Sequence, residues 1–296
     1  MSATTGTVVA VFGRRYEVES DDGACLDCVT RGRKHQAVCG DQVSFTMTGA
    51  KSAVIEGLLP RRNYLERSDA HKRKGIAANI DQVLVLAAVE PRASEEFLTR
   101  ILLVADAAGV NTLLALNKID LPGAEQARAR LMVFVGAGHE LIEFSARPER
   151  DAAASAPAVL LERLRGRRTV LCGQSGMGKS SLVNALVPAA AAVTGELSSA
   201  LGSGRHTTTF SRMYHIDAQT SLIDCPGMQE VGIHHLSHAD LAKGFREFAP
   251  LLGHCRFSNC HHVHEPDCAI RAQAASGGIA RERLALFQKL VAETGV

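Results

Sequence analysis

The chain has 296 residues, 46% of them hydrophobic, and its 33 basic and 31 acidic side chains leave a formal net charge of +2. At roughly 100–200 residues per domain this length suggests two or three compact units, and a charged fraction of 22% with ample Val, Leu and Ile excludes global disorder. No apolar run approaches the ~18–20 residues that span a bilayer. The opening MSATTGTVVAVFG has neither a basic leader nor a long apolar stretch, so no signal peptide, no membrane partner and a cytoplasmic location are expected.

Residues 1–62 read as all-β. The short segments Thr7–Phe12, Tyr16–Glu19, Cys25–Val29, Val43–Met47 and Ala53–Leu58 are separated by Gly- and Asp-rich turns. Five strands at this spacing suit a small barrel, with an OB-fold as the leading form and an SH3-like barrel or open sheet as the alternatives. Cys25 and Cys28, with His35 and Cys39 nearby, lie in a strand-like alternation and are expected to pack as small apolar groups rather than bind metal.

Residues 61–75, RRNYLERSDAHKRKG, hold six basic side chains (Arg61, Arg62, Arg67, Lys72, Arg73, Lys74) against two acidic ones (Glu66, Asp69) and show no apolar periodicity. A basic linker over 63–80 is expected. Beside an oligonucleotide-binding type of barrel, its charge invites contact with phosphates.

From residue 81 strands and helices alternate. The apolar run Val83–Val89 suits a buried parallel strand. A helix over Glu95–Ala108, a strand over Thr112–Leu116, a helix over Ala124–Val135 and a strand over Leu141–Phe144 follow. A helix over Ala156–Leu164 then leads to the strand Thr169–Cys172, and the strands Ser211–Asp217 and Thr220–Asp224 are joined tightly enough to pair antiparallel. Residues 81–235 therefore read as a doubly wound α/β domain with one antiparallel edge. Residues 236–296 read as helices around a Cys/His cluster, with amphipathic pattern in Leu241–Leu252 and Ala280–Val291.

Three motifs carry the chemistry of a nucleotide site. GQSGMGKSS (Gly173, Gln174, Ser175, Gly176, Met177, Gly178, Lys179, Ser180, Ser181) follows a strand and opens a helix, the context of a phosphate-binding loop. Its glycines allow a tight turn that converges amide N–H groups on phosphate oxygens. Lys179 is placed to reach the β- and γ-phosphates, and the Ser180 hydroxyl to ligate Mg²⁺. NKID (Asn117, Lys118, Ile119, Asp120) ends a strand where α/β sheets place ligand loops. A carboxylate at Asp120 can accept from guanine N1–H and the exocyclic N2–H₂, whereas adenine would leave it desolvated and unpaired. Asn117 can bind the base edge or tie this loop to the phosphate loop, and the stem of Lys118 can lie over the ring. Ser145–Ala146, after the next strand, fits a short loop backing the base. DCPG supplies Asp224, a holder of Mg²⁺ through water, and Gly227, whose amide can sense the γ-phosphate. GRHTTT between these motifs offers Thr207 or Thr208 to complete the Mg²⁺ shell.

The motif order is unusual: Asn117 precedes Gly173 by 56 residues (173 − 117), so guanine recognition comes before the phosphate loop and the switches. Circular permutation preserves a site when the original ends lie close together on the surface. This order, with RKGIAANIDQ (73–82), NKID, GQSGMGKSS, GRHTTT, DCPG and CRFSNCHHVHEPDC (255–268), resembles the RsgA (YjeQ) family of circularly permuted GTPases, over nearly the whole chain. The resemblance implies an α/β P-loop GTPase domain with an N-terminal OB-fold barrel and a C-terminal helical zinc-binding domain. It further implies GTP and GDP as ligands and a late-stage assembly factor that binds the 30S subunit and its 16S rRNA. Turnover is then stimulated by the subunit, with release on hydrolysis. The protein is expected to act as a monomer.

Cys255, Cys260 and Cys268 crowd together with histidines in fourteen residues. Three thiolates and one imidazole make a closed tetrahedral set for one structural Zn²⁺. His261 and His264 could compete as the nitrogen ligand; the family pattern implies His262.

Many GTPases orient the attacking water with a glutamine directly after the DxxG glycine, but Met228 stands there and Gln229 is one residue further on. Slow intrinsic hydrolysis is expected, with His206, beside the threonine run, as the internal candidate for orienting water. Gly227 lies only 28 residues before Cys255 (255 − 227), so the second switch feeds almost directly into the zinc domain. Two other readings compete. One is a nucleotide-gated RNA-binding module with incidental turnover. The other is a small-molecule P-loop kinase, against which NKID and the lack of an acceptor site argue.

Overall fold

The computed structural model describes residues 4–31, 36–146, 156–187, 210–225 and 231–295. Five strands open the chain: β1 (Thr4–Phe12), β2 (Arg15–Ser20), β3 (Cys25–Thr30), β4 (Gln42–Met47) and β5 (Ser52–Leu58). They pair in the order β1-β2-β3-β5-β4, and β1 closes on β4 to make a five-stranded barrel. Alternation explains it. Val8, Val18, Leu26, Cys28, Val43, Phe45 and Ile55 point inward to one core, while their neighbours face outward. Cys25 corrects one expectation: it is exposed on β3, whereas Cys28, Cys39, Cys172 and Cys225 are buried as packing groups.

The segment expected as a linker is instead an antiparallel hairpin of β6 (Tyr64–Ser68) and β7 (Arg73–Ala78). Leu65, Ile76, Ala77 and Ala78 turn inward and are buried, so the basic side chains decorate a ribbon that is anchored from beneath. Its tip closes on Asp69, whose Oδ1 accepts from the backbone N–H of His71 and Lys72 at 2.9 and 2.8 Å. Gly75 is required by packing, since a Cβ there would stand 2.2 Å from the Tyr64 hydroxyl oxygen.

The α/β unit comprises β8 (Gln82–Ala88), α1 (Glu95–Ala107), β9 (Asn111–Asn117), α2 (Ala124–Gly136), β10 (Glu140–Glu143), α3 (Ala156–Leu164), β11 (Arg168–Gly173), α4 (Lys179–Leu186), β12 (Ser211–His215) and β13 (Ser221–Asp224). Strands β10-β9-β8-β11-β13 are parallel, and β12 adds antiparallel to β13. Every residue of β8 is buried because both faces are covered: Val83, Val85 and Ala87 enter one core with α1 and α2, and Leu84, Leu86 and Ala88 enter another with α3 and α4. Each fully buried Val or Leu of this kind contributes about 1.5–3 kcal/mol. Strand β12 is not a free edge. It pairs with β1 through Ala10↔Arg212 and Val11↔Ser211, so barrel and α/β sheet form one eleven-stranded sheet.

The C-terminal part holds α5 (His238–Gly244), a 3₁₀ turn (Arg246–Leu251), α6 (Ala269–Ala275) and α7 (Arg281–Thr294). The sequence pattern over Leu241–Leu252 is thus two pieces, parted at Phe245, whose ψ of 81° leaves the helical region, with Pro250 inside the 3₁₀ turn. Ser237 and Asp240 form a reciprocal capping box at the start of α5. Phe245, Phe248 and Phe287 pack at centroid distances of 5.1–5.3 Å and belong to the core that α1 lines. Among the described residues, no helix is long and apolar enough to cross a membrane.

Candidate functional site

The loops after β8, β9, β10 and β11, and Asp224 at the end of β13, lie at the C-terminal ends of adjacent parallel strands, where an open α/β sheet forms its ligand crevice. The chain reaches this crevice in permuted order, yet the loops meet there. Asn117, 1% exposed at the end of β9, holds them together: its Nδ2 donates to the Met177 carbonyl at 2.9 Å. Its Oδ1 accepts from the N–H of Lys118 at 2.7 Å and of Ala146 at 3.0 Å. Asn117 thus makes the loop-to-loop ties that were one of the two roles open to it from sequence. Lys118, in the left-handed region at φ 64°, donates from Nζ to the carbonyls of Glu90 (2.6 Å) and Gly176 (2.8 Å). Ile119 is half-buried against the core. Asp120 is oriented by the Ser145 hydroxyl, which donates to its Oδ1 at 2.6 Å.

The phosphate-loop segment turns from β11 into α4 through Gly176 (φ 81°) and Gly178 (φ 95°). A Cβ on Gly178 would stand 2.3 Å from Asn117 Nδ2, so glycine is demanded here by both φ and space. Met177 is buried, whereas Ser175, Gly176, Ser180 and Ser181 are exposed at the mouth. Gln174 Oε1 accepts from the Ser94 N–H at 2.8 Å, a tie to the cap of α1. Lys179 folds over its own loop, donating to the carbonyls of Gly173 and Gln174 at 2.6 and 2.9 Å.

Asp224 ends β13. Burial pushes its carboxyl upward against the opposing charge of Lys179, whose own pKa burial lowers. Asp224 Oδ1 is buried with no hydrogen-bond partner among the described residues. An anionic oxygen left unsatisfied beside a phosphate-loop lysine fits a hydrated divalent cation. His206, Thr207, Thr208 and Gly227 lie outside the described residues.

Sequence reasoning missed two parts of this crevice. The Glu90–Pro91 turn supplies a carbonyl to Lys118, and Pro91 lies against Gly176 closely enough that a Cβ there would approach it to 2.9 Å. A proline straight after a buried strand was the available signal. The hairpin also forms one wall of a cleft of about 640 Å³ that reaches Gln174, and only tertiary structure brings it there.

Cys255, Cys260, His262 and Cys268 offer ligand atoms that all lie within 4.8 Å of one another, a set fit to hold a metal ion. His262 (φ 62°) presents Nδ1, 3.5 Å from Cys255 Sγ and 3.4 Å from Cys268 Sγ. Gln288 of α7 donates to the His262 and Val263 carbonyls at 3.1 Å each, and Glu265 accepts from the N–H groups of His261, Val263 and His264. Neither His261 nor His264 belongs to the cluster.

A family model described as RsgA GTPase matches residues 58–234. The small ribosomal subunit biogenesis GTPase RsgA of Paraburkholderia xenovorans (strain LB400) is 49% identical over 295 residues, covering 97% of this chain and 92% of that protein. The protein of the same name from Burkholderia pseudomallei (strain K96243) is 48% identical over 290 residues, covering 97% and 91%. Among solved structures, YjeQ from Thermotoga maritima superposes with a TM-score of 0.73 at 27% identity over 98% of both chains. YloQ, described as a circularly permuted GTPase, gives 0.69 at 22% identity over 99% of this chain and 95% of its own, a likeness of fold.

Proposed function

The chain belongs to the RsgA GTPase family and hydrolyses GTP, and on that premise we propose that it is a late-stage assembly factor of the 30S ribosomal subunit. In this reading it binds 16S rRNA in the cytoplasm as a monomer, is stimulated by the subunit and leaves on hydrolysis. The observation that carries the nucleotide part is the Asn117–Met177 tie, which brings the base-reading loop and the phosphate loop into one site despite their order. The relatives' names supply the ribosomal part.

Asp120, set by Ser145, takes the guanine N1–H and N2–H₂ edge, with Lys118, Ile119 and Ala146 around the base. The amides of residues 174–181 take the phosphates, and Lys179 exchanges its loop carbonyls for the β- and γ-phosphate oxygens. Ser180 and Asp224 would hold Mg²⁺, which would neutralise charge on the β- and γ-phosphates. His206, Thr207, Thr208 and Gly227 complete the switch side, with His206 orienting water where Met228 cannot. Zinc is the metal that best suits the C-terminal cluster. Tetrahedral Zn²⁺ with Zn–S of about 2.3 Å and Zn–N of about 2.0 Å would set ligand separations of about 3.5–3.8 Å; three of the six pairs, among Cys255, His262 and Cys268, stand at 3.4, 3.5 and 3.9 Å, and all six lie within 4.8 Å. Four protein ligands leave no place for water, so this ion holds structure.

Co-sedimentation with purified 30S subunits tests the proposal, in GDP and in a non-hydrolysable GTP analogue, at low and high salt. Analogue-dependent binding that weakens with salt is expected; no sedimentation in either nucleotide state contradicts it.

A further inference from the structure

A second cavity, of about 210 Å³, lies on the seam between the α/β unit and the start of α7. Ala88 at the end of β8 and Leu116 on β9 form its floor, and Leu98 of α1 with Leu131 and Phe134 of α2 forms its walls. Glu282 and Arg283 reach it from α7. The gap follows from side-chain size. Five lining positions carry alanine (Ala87, Ala88, Ala93, Ala127 and Ala280), where longer side chains would close the space that interiors normally fill. None of residues 173–181 lines it, so it is distinct from the nucleotide crevice. An apolar cavity of about 150 Å³ takes up benzene, so this one has room for a single ring on a short arm.

A buried cation lines this apolar space. Arg283 is 4% exposed; its Nε donates to Glu247 Oε1 and its Nη1 to the Thr99 hydroxyl, each at 2.7 Å. Its guanidinium lies 4.5 Å from the Phe245 ring centroid and 5.2 Å from that of Phe134. Nη2 makes no hydrogen bond among the described residues. Yet the fully buried side-chain atoms left without a partner there are Asp224 Oδ1 and Glu247 Oε2. Nη2 therefore keeps access to open space, which the cavity supplies. A guanidinium donor placed in this way calls for an anionic acceptor.

Arg92 and Arg130 also line the cavity, are exposed, and enter no ion pair among the described residues. Against these three cations stand two carboxylates, Glu95 and Glu282. Glu95 is already engaged, 3.6 Å from Arg283 Nη1. The most buried charge is thus positive, and the exposed guanidinium groups repeat its sign.

We propose that this cavity is a binding site for a small aryl carboxylate. The ring sits among Leu98, Leu131 and Phe134, where apolar walls would leave a polar body unpaired and Phe134 offers an aromatic partner. The carboxylate accepts from Arg283 Nη2, with Arg92 and Arg130 around it. Such a ligand bridges α1, α2 and α7, and by binding only the folded chain it stabilises their seam.

The test is calorimetric titration of 3-phenylpropionate into the full-length protein loaded with GDP, with 3-phenylpropylamine as the charge-reversed analogue. The acid is expected to bind one site per chain with a Kd of about 0.1 mM and to raise Tm, while the amine shows no saturable binding. Arg92→Ser combined with Arg130→Ser removes two exposed cations that pair with nothing described, and should weaken the acid about tenfold. Arg283→Lys keeps the charge without the second donor nitrogen, and should weaken it by about the same factor or more. Absence of saturable binding by the wild type, equal or tighter binding of the amine, or wild-type affinity in either variant overturns the proposal. These readouts need neither hydrolysis nor the ribosomal subunit, so their failure leaves the proposed function standing.

Discussion

The side-chain amide of Asn117 donates to the carbonyl of Met177 at 2.9 Å, across 60 positions of the chain. With Lys118 bonded to Gly176, this contact ties the loop of Asn117–Asp120 to the loop of Gly173–Ser181. Asn117→Asp replaces the donor with an anionic oxygen facing a carbonyl, in a position with almost no access to water. Losing such a buried hydrogen bond costs about 1–3 kcal/mol, so fluorescent GDP should bind about 5–150-fold more weakly. A change of less than twofold in a fluorescence titration would show that the tie does not organise the site.

Asp120→Asn tests how the base is chosen. The amide offers one donor and one acceptor where the carboxylate offers two acceptors, so guanine loses one of its two hydrogen bonds. Xanthine, with a carbonyl at C2, gains a partner. GTP affinity should fall about 10²-fold or more while xanthosine triphosphate becomes an effective competitor. Unchanged preference in a competition assay would remove Asp120 from the base edge.

Asp224 trades stability for chemistry. Burial raises its folded pKa, so its stabilising contribution is present below the usual carboxylate value of 3.8 and is lost as pH rises through the raised value. At pH 7 the nucleotide-free protein bears that cost. Asp224→Asn should raise its Tm by about 1–3 °C and lower Mg²⁺-dependent GTP hydrolysis about 10²-fold or more. Calorimetry and a phosphate-release assay read the two effects; a lower Tm would mean the carboxylate is satisfied.

His139 sets an acid limit on the fold. It is 5% exposed, shares a hydrogen bond with the Thr112 hydroxyl at 3.0 Å, and is held neutral down to about 4 by burial, aided by Arg246. The unfolded chain protonates it near 6.5. Its contribution is therefore complete above pH 6.5 and is lost as pH falls toward about 4, a change of about 3 kcal/mol. Urea unfolding of His139→Gln should show a flatter decline across that window; an identical pH profile would contradict the assignment.

The metal cluster anchors the C-terminal helices. Gln288 of α7 bonds to the carbonyls at His262 and Val263, and the Phe287 ring lies tilted at 50° to the His262 ring, 6.1 Å away. Cys260→Ser should lose the bound metal, measured by mass spectrometry of the purified protein, and lower Tm by about 5 °C or more. Full metal content in that variant would exclude Cys260 as a ligand.

Most of this architecture was legible in the sequence because local pattern and tertiary environment agree. The barrel strands alternate, the inner strand is uniformly apolar over Val83–Ala88, and glycines mark the turns. NKID, the phosphate loop and the Cys/His cluster were legible because each needs particular residue types at fixed spacing. The hairpin was not. Its buried apolar set is only Leu65, Ile76, Ala77 and Ala78, its exposed face is dominated by basic residues, and its partners Gly232 and His235 lie more than 150 positions away. Nor could pattern show that β12 continues into the barrel, because a pairing such as Ala10↔Arg212 depends on how two finished units meet.

On the proposed function, this permuted site hydrolyses GTP in response to the small ribosomal subunit. Single-turnover hydrolysis of labelled GTP, with and without purified 30S subunits and with excess ATP as competitor, tests it most directly. Slow hydrolysis alone, at least about tenfold faster with subunits and untouched by ATP, is the predicted result. Equal rates with and without subunits would contradict it.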